Sequence, residues 1–279
     1  MTITLQSNVA SLVAQRHVGQ TQSSLDRSLA RLSSGYRINS ADDDAAGLGV
    51  SEVLKSQIRT LAQASRNAND GLSVVQTAEG AMGEVSATLL RMRELSVQAA
   101  SDNITNKERG YINTEFQQLV QEIDRIANST KFNGNVLLDG SFKTTGLDFQ
   151  VGHENGANFR ISVTIEDLRT GGGLGFAGTE AVDTKANAQT VMTVLDTALD
   201  SVNTARAGLG AKANRLTTAA SAVEVMRENL SAANSRIRDT NIASETSSFA
   251  RSQVLMQAGV SMLAQANSQP QLALSLLQG

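Results

Sequence analysis

Residues 195–237 read LDTALDSVNTARAGLGAKANRLTTAASAVEVMRENLSAANSRI, and an apolar residue recurs there at every seventh position. These positions are Leu195, Val202, Leu209, Leu216, Val223, Leu230 and Ile237. The second position of the repeat is filled by Leu199, Ala213 and Ala220 and is interrupted by Arg206, Arg227 and Asn234. A strict seven-residue repeat over this length predicts a left-handed coiled-coil seam rather than a one-sided surface helix.

The N-terminal half carries a matching pattern, with apolar residues at alternating spacings of three and four. Its main positions are Leu54, Ile58, Leu61, Leu72 and Val75, continued by Met82 and Leu89. Residues 42–44 are all Asp, and carboxylates at such a place cap helix amide groups. We therefore predict one helix from there to about Ser101, roughly 85 Å long at 1.5 Å per residue. A third helix is predicted from Ile112 to Ile126, so that the three lie side by side as a rod.

The period changes between about 132 and 182. Leu147, Phe149 and Val151 alternate with polar residues, and the alternation returns in the segment 159–165. The seven residues between them include glycines, so we predict a β-hairpin with a small separate core on the side of the rod. The fold class is thus mainly α: a long coiled-coil-like rod formed from both chain halves, with a small β-hairpin region in the middle.

Composition argues against most chemical functions. The chain of 279 residues has a net charge of −3, no cysteine, no tryptophan and one proline. The sequence has no basic run that would favour nucleic-acid binding, and it has no stretch of about 18 apolar residues that would predict membrane insertion. The N-terminus lacks the basic region and apolar run of a secretory signal, so export of this chain would use another route.

Candidate catalytic groups are sparse. His17 and His153 are far apart in the sequence, and residues 42–44 lack the glycine and glutamate of a helix-loop calcium site. The segment 173–178 has the letters of a dinucleotide fingerprint, but no buried parallel strand is predicted before it. We therefore predict no enzyme activity and no catalytic, cofactor-binding or metal site.

The two ends differ from the middle in charge. Residues 1–25 contain one formal charge, Arg16, and residues 252–279 contain none. An uncharged amphipathic helix needs a partner for its apolar face, and membrane binding would bring a Lys/Arg-rich polar face. We predict that both ends pack against each other and against copies of the chain. The predicted self-assembly seams are Val9, Leu12, Leu25, Leu29, Leu32, Leu255, Met262, Leu263, Leu272 and Leu276.

Several segments, in the same order along the chain, resemble bacterial flagellin. They include Leu32-Ser-Ser-Gly35-Tyr-Arg-Ile-Asn39-Ser-Ala-Asp-Asp-Asp-Ala-Ala-Gly47, Arg93-Glu-Leu-Ser-Val-Gln98 and Phe132-Asn-Gly134. The C-terminal half adds Ser235-Arg-Ile-Arg-Asp239-Thr and Ala264-Gln-Ala-Asn267. The resemblance covers about residues 3–140 and 190–279. Only about fifty residues separate the helical halves, which resembles a short type without the large variable outer domains.

The resemblance implies a structural subunit that self-assembles into the flagellar filament, the propeller of swimming bacteria. It implies that arms 1–41 and 238–279 line an inner tube, and that residues 42–237 form the rod. It also implies secretion by type III export, with an export chaperone, a filament cap and hook-junction proteins as partners. Arg91, Leu95 and Glu115 fall where the family contacts an innate-immune receptor or a neighbouring subunit. A filament-base adaptor or a cytoplasmic coiled-coil signalling rod is the alternative function.

Overall fold

A computed structural model describes residues 7–277, with side chains for residues 7–269. The helices are α1 Val9–Ser34, α2 Ala45–Ala99, α3 Asn106–Ser129, α4 Lys185–Arg238 and α5 Ile242–Leu277. The strands are β1 Lys131–Phe132, β2 Asn135–Val136, β3 Leu147–Gln150 and β4 Arg160–Val163. The predicted fold class, mainly α with a small β region in the middle, is confirmed.

The chain forms two compact units. One consists of Met1–Ser56 with Asn229–Gly279, and the other of Gln57–Glu228. The terminal unit therefore contains α1, α5 and the nearby ends of α2 and α4. The central unit contains most of α2 and α4, together with α3 and all the strands.

The central unit has one continuous hydrophobic core. Met82 and Leu89 of α2, Phe116 of α3, and Leu195 and Val202 of α4 are all buried in it. The three helices thus cover one another's narrow apolar faces, as the spacing of three and four predicts. Burial of these side chains away from water is the main favourable contribution to folding of this unit.

The predicted hairpin is confirmed, but the prediction that it has a separate core is wrong. Strands β3 and β4 pair antiparallel, with Leu147 opposite Val163 and Phe149 opposite Ile161. Ile161 and Val163 are buried in the same core cluster as the helices. Gly71 of α2 explains the close docking, because a Cβ built there would lie 3.0 Å from the Phe149 ring. The absence of a side chain lets the hairpin pack directly on the helix.

A second, smaller hairpin joins β1 to β2. Its two turn residues, Asn133 and Gly134, have φ angles of 47° and 85°. Two successive left-handed residues are typical of the tight turn that an Asn-Gly pair forms. The Asn-Gly pair at these positions therefore forms the turn of a hairpin.

The helix beginnings follow side-chain capping. The backbone N–H of Gly47 donates to Asp44 Oδ1 at 2.8 Å, so the predicted cap of α2 is confirmed for Asp44. Thr105 and Glu108 form a reciprocal capping box at the start of α3. Such caps satisfy amide groups that have no partner within the helix.

Candidate functional site

The terminal helices α1 and α5 form an antiparallel pair. Asn8 Nδ2 donates to the carbonyl oxygen of Ala266 at 2.7 Å, and Ser11 Oγ donates to Asn267 Oδ1 at 2.6 Å. At the other end of the pair, Tyr36 forms an isolated antiparallel bridge with Asp239. The prediction that the two ends of the chain pack against each other is confirmed for the described residues.

Small side chains form one row of this pairing, and mostly larger apolar side chains form another. A Cβ built on Gly259 of α5 would lie 2.9 Å from Val18 Cγ2 of α1. The less exposed small residues recur at seven-residue spacing as Ala14, Thr21 and Ser28 on α1, and as Ser252, Gly259 and Ala266 on α5. The second row has the same spacing and comprises Ser11, Val18, Leu25 and Leu32 on α1, and Phe249, Met256 and Leu263 on α5. Ser28 is the one fully buried side chain recorded for α1. The small residues let the two helix backbones approach closely, and a further set of large apolar side chains remains outside the pair.

Those larger side chains are exposed in the single chain. They are 47% to 66% exposed and comprise Val9, Leu12 and Leu29 of α1 with Val254, Leu255, Val260 and Met262 of α5. Scattered apolar residues are normal on protein surfaces, but here they recur along both helices of a nearly uncharged pair. This set, which we call the terminal apolar surface, is the candidate functional site. Its chemistry suits contact with another apolar surface.

The predicted self-assembly seams divide into three groups. Val9, Leu12, Leu29, Leu255 and Met262 belong to the terminal apolar surface. Leu25, Leu32 and Leu263 are half-buried. Leu272 and Leu276 lie outside the residues whose side chains the structure describes. The sequence pattern thus mixed side chains that are open to contact with others that are partly covered within the chain.

The predicted rod seam also divides by burial. Leu61, Val75, Leu195, Val202, Leu209, Leu216 and Val223 are buried. Leu54, Ile58, Leu72, Leu230 and Ile237 are intermediate. Full burial is therefore concentrated in the central unit, and the seam positions of the terminal unit are only partly covered.

A second surface joins α2 and α3 in the central unit. Arg91 Nε and Nη2 both donate to Glu115 Oε1, at 3.0 and 2.8 Å, and Arg91 Nη1 donates to Glu94 Oε2. These hydrogen bonds to Glu115 and Glu94 raise the pKa of Arg91 above its ordinary value. Leu95 is only 2% exposed and lies in the core. A partner meeting this surface would touch Arg91 and Glu115, not the Leu95 side chain.

The sequence analysis missed two features of the terminal unit. One is the seven-residue recurrence of small residues at 252, 259 and 266, which follows Glu245 at the same spacing. The other is the pairing of Arg31 with Asp43 and Glu245. The signal for the first is in the sequence, because small residues recur there at the heptad period. The second joins residues that are distant in sequence and carries no local signal.

Within residues 7–269, no group of three or more His, Asp or Glu side chains is placed to hold a metal ion. His153 packs edge-on against Phe159, with 5.8 Å between the ring centroids. No described helix combines the length and the hydropathy needed to cross a bilayer.

Comparison with known proteins identifies the family. Sequence profiles of the bacterial flagellin N-terminal and C-terminal helical regions match residues 5–143 and 192–277. The chain belongs to the bacterial flagellin family. It is 43% identical over 272 residues to a flagellin of Halalkalibacterium halodurans, covering 97% of this chain and 98% of the relative. It is 40% identical over 282 residues to the flagellar filament 30.7 kDa core protein of Treponema maltophilum, with the same coverage.

A solved structure shows the same fold. A putative flagellar hook-associated protein from Vibrio parahaemolyticus superposes with a TM-score of 0.56 at 16% identity, covering 70% of this chain and 99% of that one. At that identity the likeness concerns the fold alone. Membership of the flagellin family makes this chain a structural component of the extracellular flagellar filament, used in swimming motility, and not an enzyme.

Proposed function

We propose that the terminal apolar surface is the contact by which one flagellin subunit binds its neighbours in the filament. The observation that carries this proposal is the exposure of Leu12 and Met262, at 62% and 66%, on two helices that approach closely at Gly259. Complete burial of a Leu, Val or Met side chain is worth about 1.5 to 3 kcal/mol. Several such side chains per subunit give a strong drive to assemble.

In this proposal the arms 1–41 and 238–279 line the inner tube of the filament, and residues 42–237 form the surrounding rod. Low charge in the first and last segments supports the assignment, because apolar and uncharged faces are favoured at the centre of an obligate interface. Each helix of the pair also has exposed large apolar residues, which remain available to another subunit.

The experiment that tests this contact is seeded elongation. A variant carrying Leu12→Asp and Leu255→Asp is expected to fail to lengthen filament seeds, because each carboxylate would be buried without a partner. Its helical content in solution should stay near that of the unchanged chain, since both positions are exposed in the single chain. The matched control is Asn203→Asp, at an exposed polar position of α4, which should elongate seeds.

Deletion of residues 252–279 provides a coarser version of the same test. The truncated chain loses the α5 part of the terminal apolar surface and should leave seeds at their starting length. Filaments of normal length grown from either the truncated chain or the double Asp variant would refute the proposed contact.

The exposed apolar side chains also support a protective partner before assembly. An export chaperone would cover α5 of the unassembled subunit, and a filament cap would receive the subunit at the growing end of the filament. Hook-junction proteins would present a matching helical pair at its base. The chaperone assignment predicts competition: chaperone bound to α5 should block seeded elongation, and Met262→Asp should weaken both interactions. Chaperone binding that leaves elongation unchanged would contradict it.

The surface around Arg91 and Glu115 supports a separate contact with an innate-immune receptor or with a neighbouring rod. Leu90 and Val97 are about half exposed there, so the ion pair has apolar neighbours that a partner could bury. Arg91→Glu should abolish a receptor response to the soluble subunit, whereas the same reversal at Arg125, in an exposed pair with Glu122, should not. An unchanged response in the Arg91 variant would exclude this surface from recognition.

A further inference from the structure

Two arginines link the segments that connect the helices of the terminal unit. The chain passes from α1 to α2 through residues 35–44, and from α4 to α5 through residues 239–241. The backbone N–H of Arg37 donates to the carbonyl oxygen of Arg238 at 2.7 Å, and that of Thr240 donates to Gly35 at 2.9 Å. These two hydrogen bonds make a short antiparallel ladder between the connecting segments.

Arg238 supports this ladder from one side. Its guanidinium lies over the Tyr36 ring, 4.7 Å from the centroid, and its Nη1 donates to Glu52 Oε1 at 2.5 Å. Glu52 itself is half exposed, so this contact is open to water. Arg238 therefore contributes mainly to the connection between α4 and the start of α2.

Arg31 supports the other side and contacts three segments at once. It lies in the last turn of α1, its Nη2 lies 3.3 Å from Asp43 Oδ1, and its Nη1 lies 3.9 Å from Glu245 Oε2. Asp43 belongs to the connecting segment, and Glu245 to the first turn of α5. One guanidinium thus links the end of α1, the connector and the beginning of α5.

Shielding from water distinguishes the two pairs of Arg31. The side chains of Arg31, Asp43 and Glu245 are 29%, 17% and 15% exposed. Every other ion pair among the described residues has at least one partner that is 43% exposed or more. Exposed pairs contribute little to stability, whereas partly buried ones depend strongly on the presence of both partners. The Arg31 pairs are therefore better suited than the exposed pairs to fix the position of α1 relative to α5.

The position of Glu245 in the sequence also bears on the register of α1 against α5. Glu245 stands seven, fourteen and twenty-one residues before Ser252, Gly259 and Ala266, the small residues of the α1–α5 pairing. The larger residues of the pairing, such as Leu25 and Leu263, also recur at seven-residue spacing. A shift of one heptad therefore replaces one small residue by another and one apolar residue by another, so these side chains discriminate weakly between registers. A charged group at the same heptad position, paired across to α1, removes that ambiguity.

We propose that Arg31 is the positioning residue for flagellin assembly, setting the register of α1 against α5 by binding Asp43 and Glu245 together. The register fixes which exposed apolar residues of α1 and of α5 a neighbouring subunit meets together. This inference rests on the proposed function of the terminal apolar surface.

The first test is a double-mutant cycle on seeded elongation. Arg31→Ala and Glu245→Ala are each expected to raise the critical concentration for elongation by about tenfold, which is about 1.4 kcal/mol. The critical concentration of the double variant should be no higher than that of the more impaired single variant, because the two residues act through one contact. Arg27→Ala, one turn earlier on α1, removes the same charge from an exposed position and should leave the critical concentration unchanged.

The second test reads the register directly. The chain has no cysteine, so Ser11→Cys with Asn267→Cys reports the observed register through disulfide formation in grown filaments. Val18→Cys with Asn267→Cys reports a shift of one heptad. Adding Arg31→Ala should lower the disulfide yield between positions 11 and 267 and raise the yield between positions 18 and 267. Arg31→Lys should restore part of the 11–267 yield, because lysine returns the charge without the two-pronged guanidinium.

The outcomes separate this inference from the proposed function. If the unchanged chain and Arg31→Ala both elongate seeds at the same critical concentration and with the same disulfide yields, the positioning role of Arg31 is refuted while the contact surface stands. Independent, multiplicative effects in the double-mutant cycle would also refute it. If the double Asp variant of the terminal apolar surface elongates normally, the proposed function itself fails, whatever the Arg31 variants do.

Discussion

The central unit and the terminal unit use similar helices in opposite ways. In the central unit, the large apolar side chains such as Phe116 and Leu89 are buried, and the surface is rich in exposed ion pairs. In the terminal unit, the helices approach closely at Gly259, and large side chains such as Leu12 and Met262 are exposed. The difference teaches that the first unit buries most of its large apolar side chains within the single chain. The second leaves many of them open, as the proposed contact with other copies requires.

The largest expected effect lies in the central core. Phe116→Ala should lower the free energy of unfolding by about 3 to 5 kcal/mol, because it removes a fully buried ring and leaves a cavity. Leu12→Ala in the terminal unit should change the stability of the single chain by less than about 0.5 kcal/mol, since the side chain is already exposed. Denaturant unfolding of the unassembled chain, followed by circular dichroism, measures both. Equal losses in the two variants would remove the contrast between the units.

The next effect concerns the close pairing of α1 and α5. Gly259→Leu should weaken this pairing by about 1 to 3 kcal/mol, because the added side chain would enter the space of Val18. Gly19→Leu on α1, where a Cβ meets nothing within 4 Å, should not weaken it. The disulfide yield between cysteines at positions 11 and 267 measures the pairing in both variants. A tolerated Leu at position 259 would show that close approach of the two helices is not required.

A smaller effect of opposite sign is expected on α4. A Cβ built on Gly208 meets nothing within 4 Å, so Gly208→Ala should stabilise the single chain by about 1 kcal/mol through helix propensity alone. Gly71→Ala is the matched control in the same unit, because its Cβ would lie 3.0 Å from the Phe149 ring and offset the gain. Thermal unfolding of the two variants provides the measurement. A destabilising Gly208→Ala would show that the glycine has a role inside the single chain.

The smallest effect is a dependence on acid pH at the helix crossing. Hydrogen bonds from the backbone amide of Asn39, with that of Ser40 and the charge of Arg31, hold the pKa of Asp43 below its ordinary value. A carboxyl with a lowered folded pKa stabilises the fold above its unfolded pKa and loses this contribution as the pH falls through the folded pKa. Stability should thus be flat from pH 7 to about pH 5 and decline below about pH 4.

The control for this pH effect is Asp43→Asn, which removes the titrating group. The variant should be less stable at neutral pH and should show a weaker decline on acidification, measured as melting temperature against pH. A decline of the same size in the unchanged chain and in the variant would assign the acid sensitivity to other carboxyl groups.

Much of the fold was predictable because it is local. The heptad run from Leu195 to Val223 and the Asp residues at 42–44 predict the long helices, and the alternation around Phe149 predicts the hairpin. The packing of that hairpin on α2 was not predictable, since it depends on Gly71 of α2 meeting a ring distant in sequence. Periodicity indicates which face of an element is apolar and does not indicate which element covers it.

The candidate site was predictable in kind but not in detail. The low charge of both ends predicts contact surfaces, and Val9, Leu12 and Met262 were among the residues expected there. Leu25 and Leu263 have the same spacing but are half-buried, because the close approach at Gly259 turns one side of each helix toward the other. The inward side carries both small residues and large apolar ones, so a search for large apolar residues alone does not separate the inward side from the open side.

The account depends on one claim: that the terminal apolar surface is open in the single chain and covered in the filament. Met262→Cys, in a chain that otherwise lacks cysteine, measures this directly through the rate of thiol labelling before and after assembly. The account predicts fast labelling of the single chain and strong protection in the filament, with Ala198→Cys in the central core protected in both states. Labelling of position 262 that is equally fast in the assembled filament would contradict it.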